Sequence, residues 1–349
     1  MTYLQKPKLR HPAAARNALG YTRRDYEAAV STLCAGCGHD ALSAAIIQAC
    51  FELDLAPHRI AKLSGIGCSS KMPQYFLGAA HGLNTVHGRM PAALTGANLA
   101  NRDLLYLGIS GDGDSASIGL GQFVHSIRRG VDMTYVVANN GVYGLTRGQF
   151  SATADAGSVA KRGAVNAEEP IDLVVLAIQL GATFVGRSFS GHREQLVPLL
   201  KAALLHRGAA FIDCISPCVA FNNQSGSTKS FAYVRAHEEP VHPFDLVVGA
   251  HGQREAAGTT EEMVRDEDVL VRMRERAPEY DLGDRVAAVA YVERQRAAGA
   301  IVTGLLYLDP EPRDLHARLQ TVDEPLAHLD DAALCPGAAA LAEFTRAFR

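Results

Sequence analysis

Long apolar runs are missing from this chain of 349 residues, and with them any segment of helical membrane-spanning length. A surplus of one charge is missing too. The 34 Lys and Arg against 37 Asp and Glu leave a formal net charge of −3, so neither nucleic acid nor an anionic membrane is expected as a partner. Cysteine is scarce: seven in the whole chain, too few for a disulfide scaffold and odd in number. Residues 1–30 are basic and Ala-rich but lack the apolar stretch of a secretory signal, and they read as a flexible N-terminal arm. The expected location is a reducing cytoplasm, where paired cysteines point to metal or redox work. Tryptophan is absent, which excludes nothing. There is no internal repeat and no long low-complexity tract.

What is present is apolar mass. With 48% hydrophobic and 20% charged residues, the chain can bury a large core in one large domain or two ordinary ones. Apolar residues recur at helical spacing from Ala41 to Phe51, and Ile60 to Ile66 is a short strand-like run. Met90 to Asn101 reads as a helix of small residues. Leu104 to Ile109 reads as a buried strand, Gly111-Asp-Gly-Asp114 as a tight turn, and Ser115 to Arg129 as a helix with Ile118, Phe123 and Ile127 inward and Gly130 as its stop. Met133 to Ala138 is the next buried strand. This is a βαβ unit, which implies parallel strands. Helices at 171–180 and 193–206 then alternate with strands at 183–186 and 209–215, the latter expected to be the last buried strand. The expected fold is α/β, a mostly parallel central sheet flanked by helices. Near Tyr233 the character changes, and residues 253–286 are charge-rich and poor in strand signals. The expected organisation is an arm at 1–30, a core at 31–235 and a peripheral C-terminal extension at 236–349.

Two sets of residues carry chemistry. In the first, Asp112 ends one strand of the βαβ unit and Asn140 ends the next. Ligands of open parallel sheets bind at such carboxyl edges. Two oxygen-bearing side chains there can share a hard cation such as Mg²⁺, whose remaining positions go to phosphate and water. Gly111 and Gly113 let the backbone approach phosphates, and the following helix offers free N–H groups to an anion. In the second set, Cys34 and Cys37 form a C-x-x-C pair, with Cys68 in Gly65-Ile-Gly-Cys68 and Cys218 in Ser216-Pro-Cys218. Four loop thiols suit either zinc or a 4Fe–4S cluster. Cys50, Cys214 and Cys335 read as small buried hydrophobes. Lys71 and Arg147 are candidates to hold a substrate carboxylate by charge-assisted hydrogen bonds. His39 and His125 read as structural.

The Gly-Asp-Gly…Asn-Asn segment resembles the thiamine-diphosphate-binding motif. That resemblance implies Mg²⁺ held by Asp112, Asn140 and the Val142 carbonyl, with Gly144, Leu145 and Thr146 lining the diphosphate. Further words, Cys34-Ala-Gly-Cys-Gly-His39, Gly65-Ile-Gly-Cys-Ser-Ser70, His87-Gly-Arg89 and Gly111-Asp-Gly-Asp114, together with the late cysteine, resemble the β subunit of 2-oxoacid:ferredoxin oxidoreductases over residues 31–235. The resemblance implies that Cys34, Cys37, Cys68 and Cys218 ligate one 4Fe–4S cluster. It also implies that Ile66, Gly67, Ser69, His87 and Asp114 border thiamine diphosphate. It implies oxidation of a 2-oxoacid, 2-oxoglutarate being favoured, with coenzyme A and ferredoxin. No segment supplies the glutamate that activates the aminopyrimidine ring, so an α subunit is the expected partner. The competing readings are a thiamine-dependent decarboxylase or synthase without a cluster, and a non-catalytic metal-binding electron-transfer subunit.

Overall fold

The computed structural model describes residues 11–160, 163–241, 244–247, 262–266, 269–273, 280–309, 311–335 and 337–348. The chain from α1 (Gly38–Glu52) onward builds one eight-stranded sheet. Its strands are β1 (Ile60–Ser64), β2 (His81–Asn84), β3 (Leu105–Gly111), β4 (Met133–Asn139), β7 (Phe184–Phe189), β8 (Ala209–Ile215), β9 (Glu238–Pro240) and β13 (Ile301–Leu308). Their order is β2-β1-β3-β4-β8-β7-β13-β9. Every pairing is parallel except β13 on β7. The hydrophobic runs explain the centre: all seven residues of β4 and all seven of β8 are buried, as a sheet covered on both faces requires. Helices α2 (Met90–Ala100), α3 (Leu120–Arg129), α4 (Leu173–Leu180), α5 (Arg193–Leu205), α6 (Phe231–His237) and α7 (Arg285–Ala297) accompany it. Their ends follow local chemistry. Asp172 caps α4 by accepting from the Val174 and Val175 amides, and Gly130 stops α3 at a φ of 68°.

Four expectations change. Residues 11–30 are not a free arm. Tyr26 is fully buried, packs edge-on against Phe51 and accepts from Asn17 Nδ2 at 2.7 Å. Residues 1–10, the rest of that expectation, lie outside the described residues. Gly111–Asp114 is not a tight turn, because a π-helical turn starts at once, Gly113–Ile118, and Gly119 breaks it before α3. The break rotates Ile118 outward, leaving it 47% exposed, while Phe123 and Ile127 stay inside. Ala209–Ile215 is not the last buried strand: β13 lies in the central sheet with seven of its eight residues buried. Finally, β11 (Glu262–Asp266) and β12 (Val269–Met273), within the stretch read as strand-poor, form a small antiparallel sheet with β10 (Phe244–Val247). From Leu326 to the end the described residues are largely exposed. Among the described residues no helix is long and apolar enough to cross a membrane.

Candidate functional site

Parallel pairing stacks the strand ends. Gly111 of β3 lies opposite Ala138 of β4, and Asn139 opposite Ile215 of β8. The residues just beyond β1, β3, β4 and β8 therefore emerge along one carboxyl edge. Those residues are the Gly65–Cys68 loop, Asp112, Asn140 and Ser216–Cys218. The edge is where open parallel sheets place ligands.

Asp112 is 1% exposed. Its Oδ1 accepts from the Asn140 amide at 3.2 Å; its Oδ2 accepts from the Ser151 hydroxyl and lies 2.8 Å from Thr153 Oγ1. Burial pushes this carboxyl up, and the two hydroxyls and the Asn140 amide hold it back. Asn140 Oδ1 accepts from the Val142 amide at 3.1 Å. The carboxylate, the amide oxygen and the Val142 carbonyl are hard oxygen donors, the set Mg²⁺ takes. Around them the backbone is crowded. A Cβ on Gly113 would stand 2.5 Å from the Tyr143 ring, and one on Gly111 would stand 2.8 Å from Ser69 Oγ. Val142–Tyr143 (β5) and Gln149–Phe150 (β6) form a two-stranded ribbon. Its tip carries Gly144, Leu145, Thr146 and Arg147. Leu145 and Arg147 are exposed there, Arg147 at a φ of 80°, and Thr146 donates to Gln149.

Asp114, read as a cofactor neighbour, is a clip. One carboxylate oxygen accepts from the Gly88 amide at 2.7 Å and from the Ile66 amide at 3.4 Å and also meets His87 Nδ1; the other accepts from Ser110 Oγ at 2.7 Å. It thus fastens the 65–69 loop and the 87–88 loop to β3. Gly88 sits on Gly119 so closely that a Cβ on either glycine would fall within 3 Å of the other's backbone.

The thiol set converges on the same edge. A Cβ on Gly144 would lie 3.4 Å from Cys68 Sγ and 3.7 Å from Cys218 Sγ, so the ribbon tip borders both. Cys37 feels the charges of Cys218 and Cys68, and Cys68 those of Cys218 and Cys34. Burial pushes the Cys37 thiol up to about 11. Lys71 lies close enough to oppose the upward shift that burial imposes on Cys68. Among the described residues no three Cys, His, Asp or Glu side chains close into a single-ion ligand set. Ser70 Oγ, in the Cys68 loop, is buried without a hydrogen-bond partner. Cys50 and Cys214 are buried as expected, whereas Cys335 is exposed.

The sequence reading took His39 as structural, quoted Ser216 only as part of the Cys218 word and did not single out Ser151 or Thr153. His39 is 1% exposed and burial lowers it to about 4, so the ring is neutral. Its Nδ1 lies 2.6 Å from Ser216 Oγ and its Nε2 3.4 Å from Asn140 Nδ2. Gly38 N donates to Pro217 O at 3.1 Å, and a Cβ on Gly38 would stand 2.7 Å from Pro217 N. This contact delivers the Cys34–Cys37 loop to the Cys218 loop. The only sequence signal was the Gly-His pair directly after the thiols.

The profile of the thiamine pyrophosphate enzyme C-terminal TPP-binding domain matches residues 65–214, the stretch that holds the cradle. A 2-oxoacid:ferredoxin oxidoreductase subunit beta of Sulfolobus sp is 34% identical over 299 residues, 84% of this chain and 94% of that protein. The 2-oxoglutarate oxidoreductase subunit KorB of Mycobacterium tuberculosis is 39% identical over 224 residues, 63% of this chain. That match spans 59% of the mycobacterial protein's length, about three fifths. A solved structure of a 2-oxoglutarate:ferredoxin oxidoreductase from Magnetococcus marinus, with 2-oxoglutarate, coenzyme A and succinyl-CoA bound, superposes with a TM-score of 0.72. It is 30% identical, with 92% of this chain and 97% of that one covered.

Proposed function

Because this chain belongs to the β-subunit family of 2-oxoacid:ferredoxin oxidoreductases, we propose that it is the cofactor-binding half of an enzyme converting a 2-oxoacid and coenzyme A to acyl-CoA and CO₂, with two electrons leaving to ferredoxin. The observation that carries this reading is the shared edge, where four thiols and an oxygen-donor cradle meet at the ends of β1, β3, β4 and β8. Asp112, Asn140 and the Val142 carbonyl would hold Mg²⁺ on a diphosphate. Cys34, Cys37, Cys68 and Cys218 would hold a 4Fe–4S cluster. Thiamine diphosphate supplies a cationic ring that accepts the electron pair released on loss of CO₂, and a cluster passes electrons on singly.

The chain's own residues do the rest. Gly111 and Gly113 leave the first amides of the π-helical turn open to phosphate oxygens. His87, oriented by Asp114, and Ile66, Gly67 and Ser69 border the reacting end. Lys71 and Arg147 would hold the distal carboxylate of a dicarboxylate, which favours 2-oxoglutarate. Leu145, 47% exposed at the ribbon tip, would shape that pocket. Apolar side chains ring the edge: Ile66, Val86, Ile118, Leu145 and Val219 are all exposed. A partner that closes over them, the α subunit, would bring the glutamate this chain lacks.

The test is anaerobic co-production with the partner subunit. About four irons, bound thiamine diphosphate and 2-oxoglutarate-dependent ferredoxin reduction that needs coenzyme A are expected. Asp112→Asn should lose the thiamine and keep the iron; Cys218→Ala should lose the iron. Thiamine without iron in the wild-type complex would support a cluster-free decarboxylase instead. Lys71→Ala should raise the KM for 2-oxoglutarate by about tenfold, the scale of one lost charge-assisted bond, and an unchanged KM would remove Lys71 from that role.

A further inference from the structure

His39 touches both halves of the site, and nothing in the proposed function uses it. Its main-chain N–H donates to the Cys37 sulfur. Its ring reaches Ser216, two residues before Cys218, and Asn140 in the oxygen cradle. The protonation pattern follows from the neighbours. Asn140 Oδ1 accepts from the Val142 amide, so the Asn140 NH₂ is the end that faces His39. The amide therefore donates to Nε2, and Nε2 carries the lone pair. The remaining ring proton sits on Nδ1 and is donated to Ser216 Oγ at 2.6 Å.

We propose that His39 is a positioning residue: its Nε2 lone pair fixes the Asn140 amide so that the amide oxygen, and not the NH₂, is presented to the diphosphate-bound cation. The inference rests on the cofactor reading above. A free Asn amide has two nearly isosteric orientations, and only one offers oxygen to a cation. The Val142 amide holds the oxygen end, and His39 holds the nitrogen end from the opposite side. The ring is buried against the Ser216–Pro217 strand end, which locks its own orientation. The arrangement matches the way outer partners orient metal ligands elsewhere, where their loss typically weakens metal binding about 10–100-fold.

Two substitutions separate the two ring nitrogens. The side-chain oxygen of His39→Gln reaches about as far as Nε2 and can accept from Asn140. That of His39→Asn reaches only about as far as Nδ1 and serves Ser216 alone. Both variants are made in the complex with the partner subunit, with iron content and thermal midpoint as controls for folding. Titration calorimetry with thiamine diphosphate in saturating Mg²⁺ is the readout. The expected result is affinity within about threefold of wild type for His39→Gln and about 10–100-fold weaker for His39→Asn, with iron content equal. Equal affinity in wild type and His39→Asn would overturn the proposal, as would equal losses in both variants. A wild-type complex that binds no thiamine diphosphate would overturn the cofactor reading itself, and this proposal with it.

Discussion

At the scale of single residues, the site depends on atoms that are absent. Gly38 has no Cβ, so the N-terminus of α1 can rest on Pro217 and Ser216. Replacing it by Ala puts a Cβ 2.7 Å from Pro217 N and the Ser216 carbonyl carbon, backbone atoms that no rotamer change can move away. Gly38→Ala should cost about 1–3 kcal/mol, the range of overpacked cores, and should lower the iron retained after anaerobic purification. An unchanged thermal midpoint with full iron would show that the loops can part. The charges are equally local. Arg187 lies directly across from Asp213 in the β7–β8 register and donates to it at 3.1 Å, and it also pairs with Asp172. Burial alone would raise Asp172, but the Arg187 charge and the Val174 and Val175 amides outweigh it and hold this carboxyl below its usual range. A depressed carboxylate stabilises the fold above the unfolded value of about 3.9, and the contribution is lost as pH falls through the folded value. The urea midpoint should therefore drop below about pH 4, and Arg187→Met should weaken that acid dependence. The same variant should cost about 3–5 kcal/mol at neutral pH, because the buried Asp213 and the partly buried Asp172 lose their counter-charge.

At the scale of elements, the informative feature is how loops are fastened to strands. The segment after β1 carries Cys68, Ser69 and Lys71 and would be free to swing if held at one end. Lys62, inside β1, prevents this. Its ammonium donates to the carbonyls of Pro73 and Leu77 at 2.6 and 2.8 Å and to that of Phe76. Burial pulls Lys62 down to about 8, so the group remains largely charged at neutral pH. Lys62→Met keeps the length and removes the three bonds. A loss of about 1–3 kcal/mol per stranded carbonyl bounds the effect, read from the urea midpoint, together with faster loss of iron on exposure to air. The sequence showed the strand and the loop but gave no hint of the clamp. A lysine within an apolar run looks like an edge position until the turn that it anchors is in place. The π-helical turn at Gly113–Ile118 was hidden for the same reason. Its irregularity answers to Gly88 pressing on Gly119, a contact between residues far apart in sequence.

At the scale of the whole molecule, β13 decides where the folded unit ends. It pairs antiparallel with β7 and is buried along its length. After it, Leu315 is buried and His316 bonds Asn98 at 3.1 Å. A chain stopped at 240 should therefore be insoluble or molten. One stopped after Pro325 should keep its thermal midpoint within about 2 °C, since the described residues beyond it are nearly all exposed. A folded, cofactor-binding fragment ending at 240 would make β13 dispensable.

The sequence by itself determined most elements of the central sheet and the residue types gathered at its carboxyl edge. Runs such as Met133–Ala138 can only be buried strands. The spacing of Gly111, Asp112 and Asn140 placed them at two neighbouring strand ends, and four cysteines stood out at loop positions. These are local signals, carried by composition and period. Tertiary structure decided what joins them. That Gly144 lies between Cys68 and Cys218, that Asp114 is a clip, that His39 bridges the thiols to Asn140 and that β13 completes the sheet are all contacts between distant residues. Such contacts leave no periodicity in the chain, because each is set by where the sheet brings two loops together and not by either loop alone.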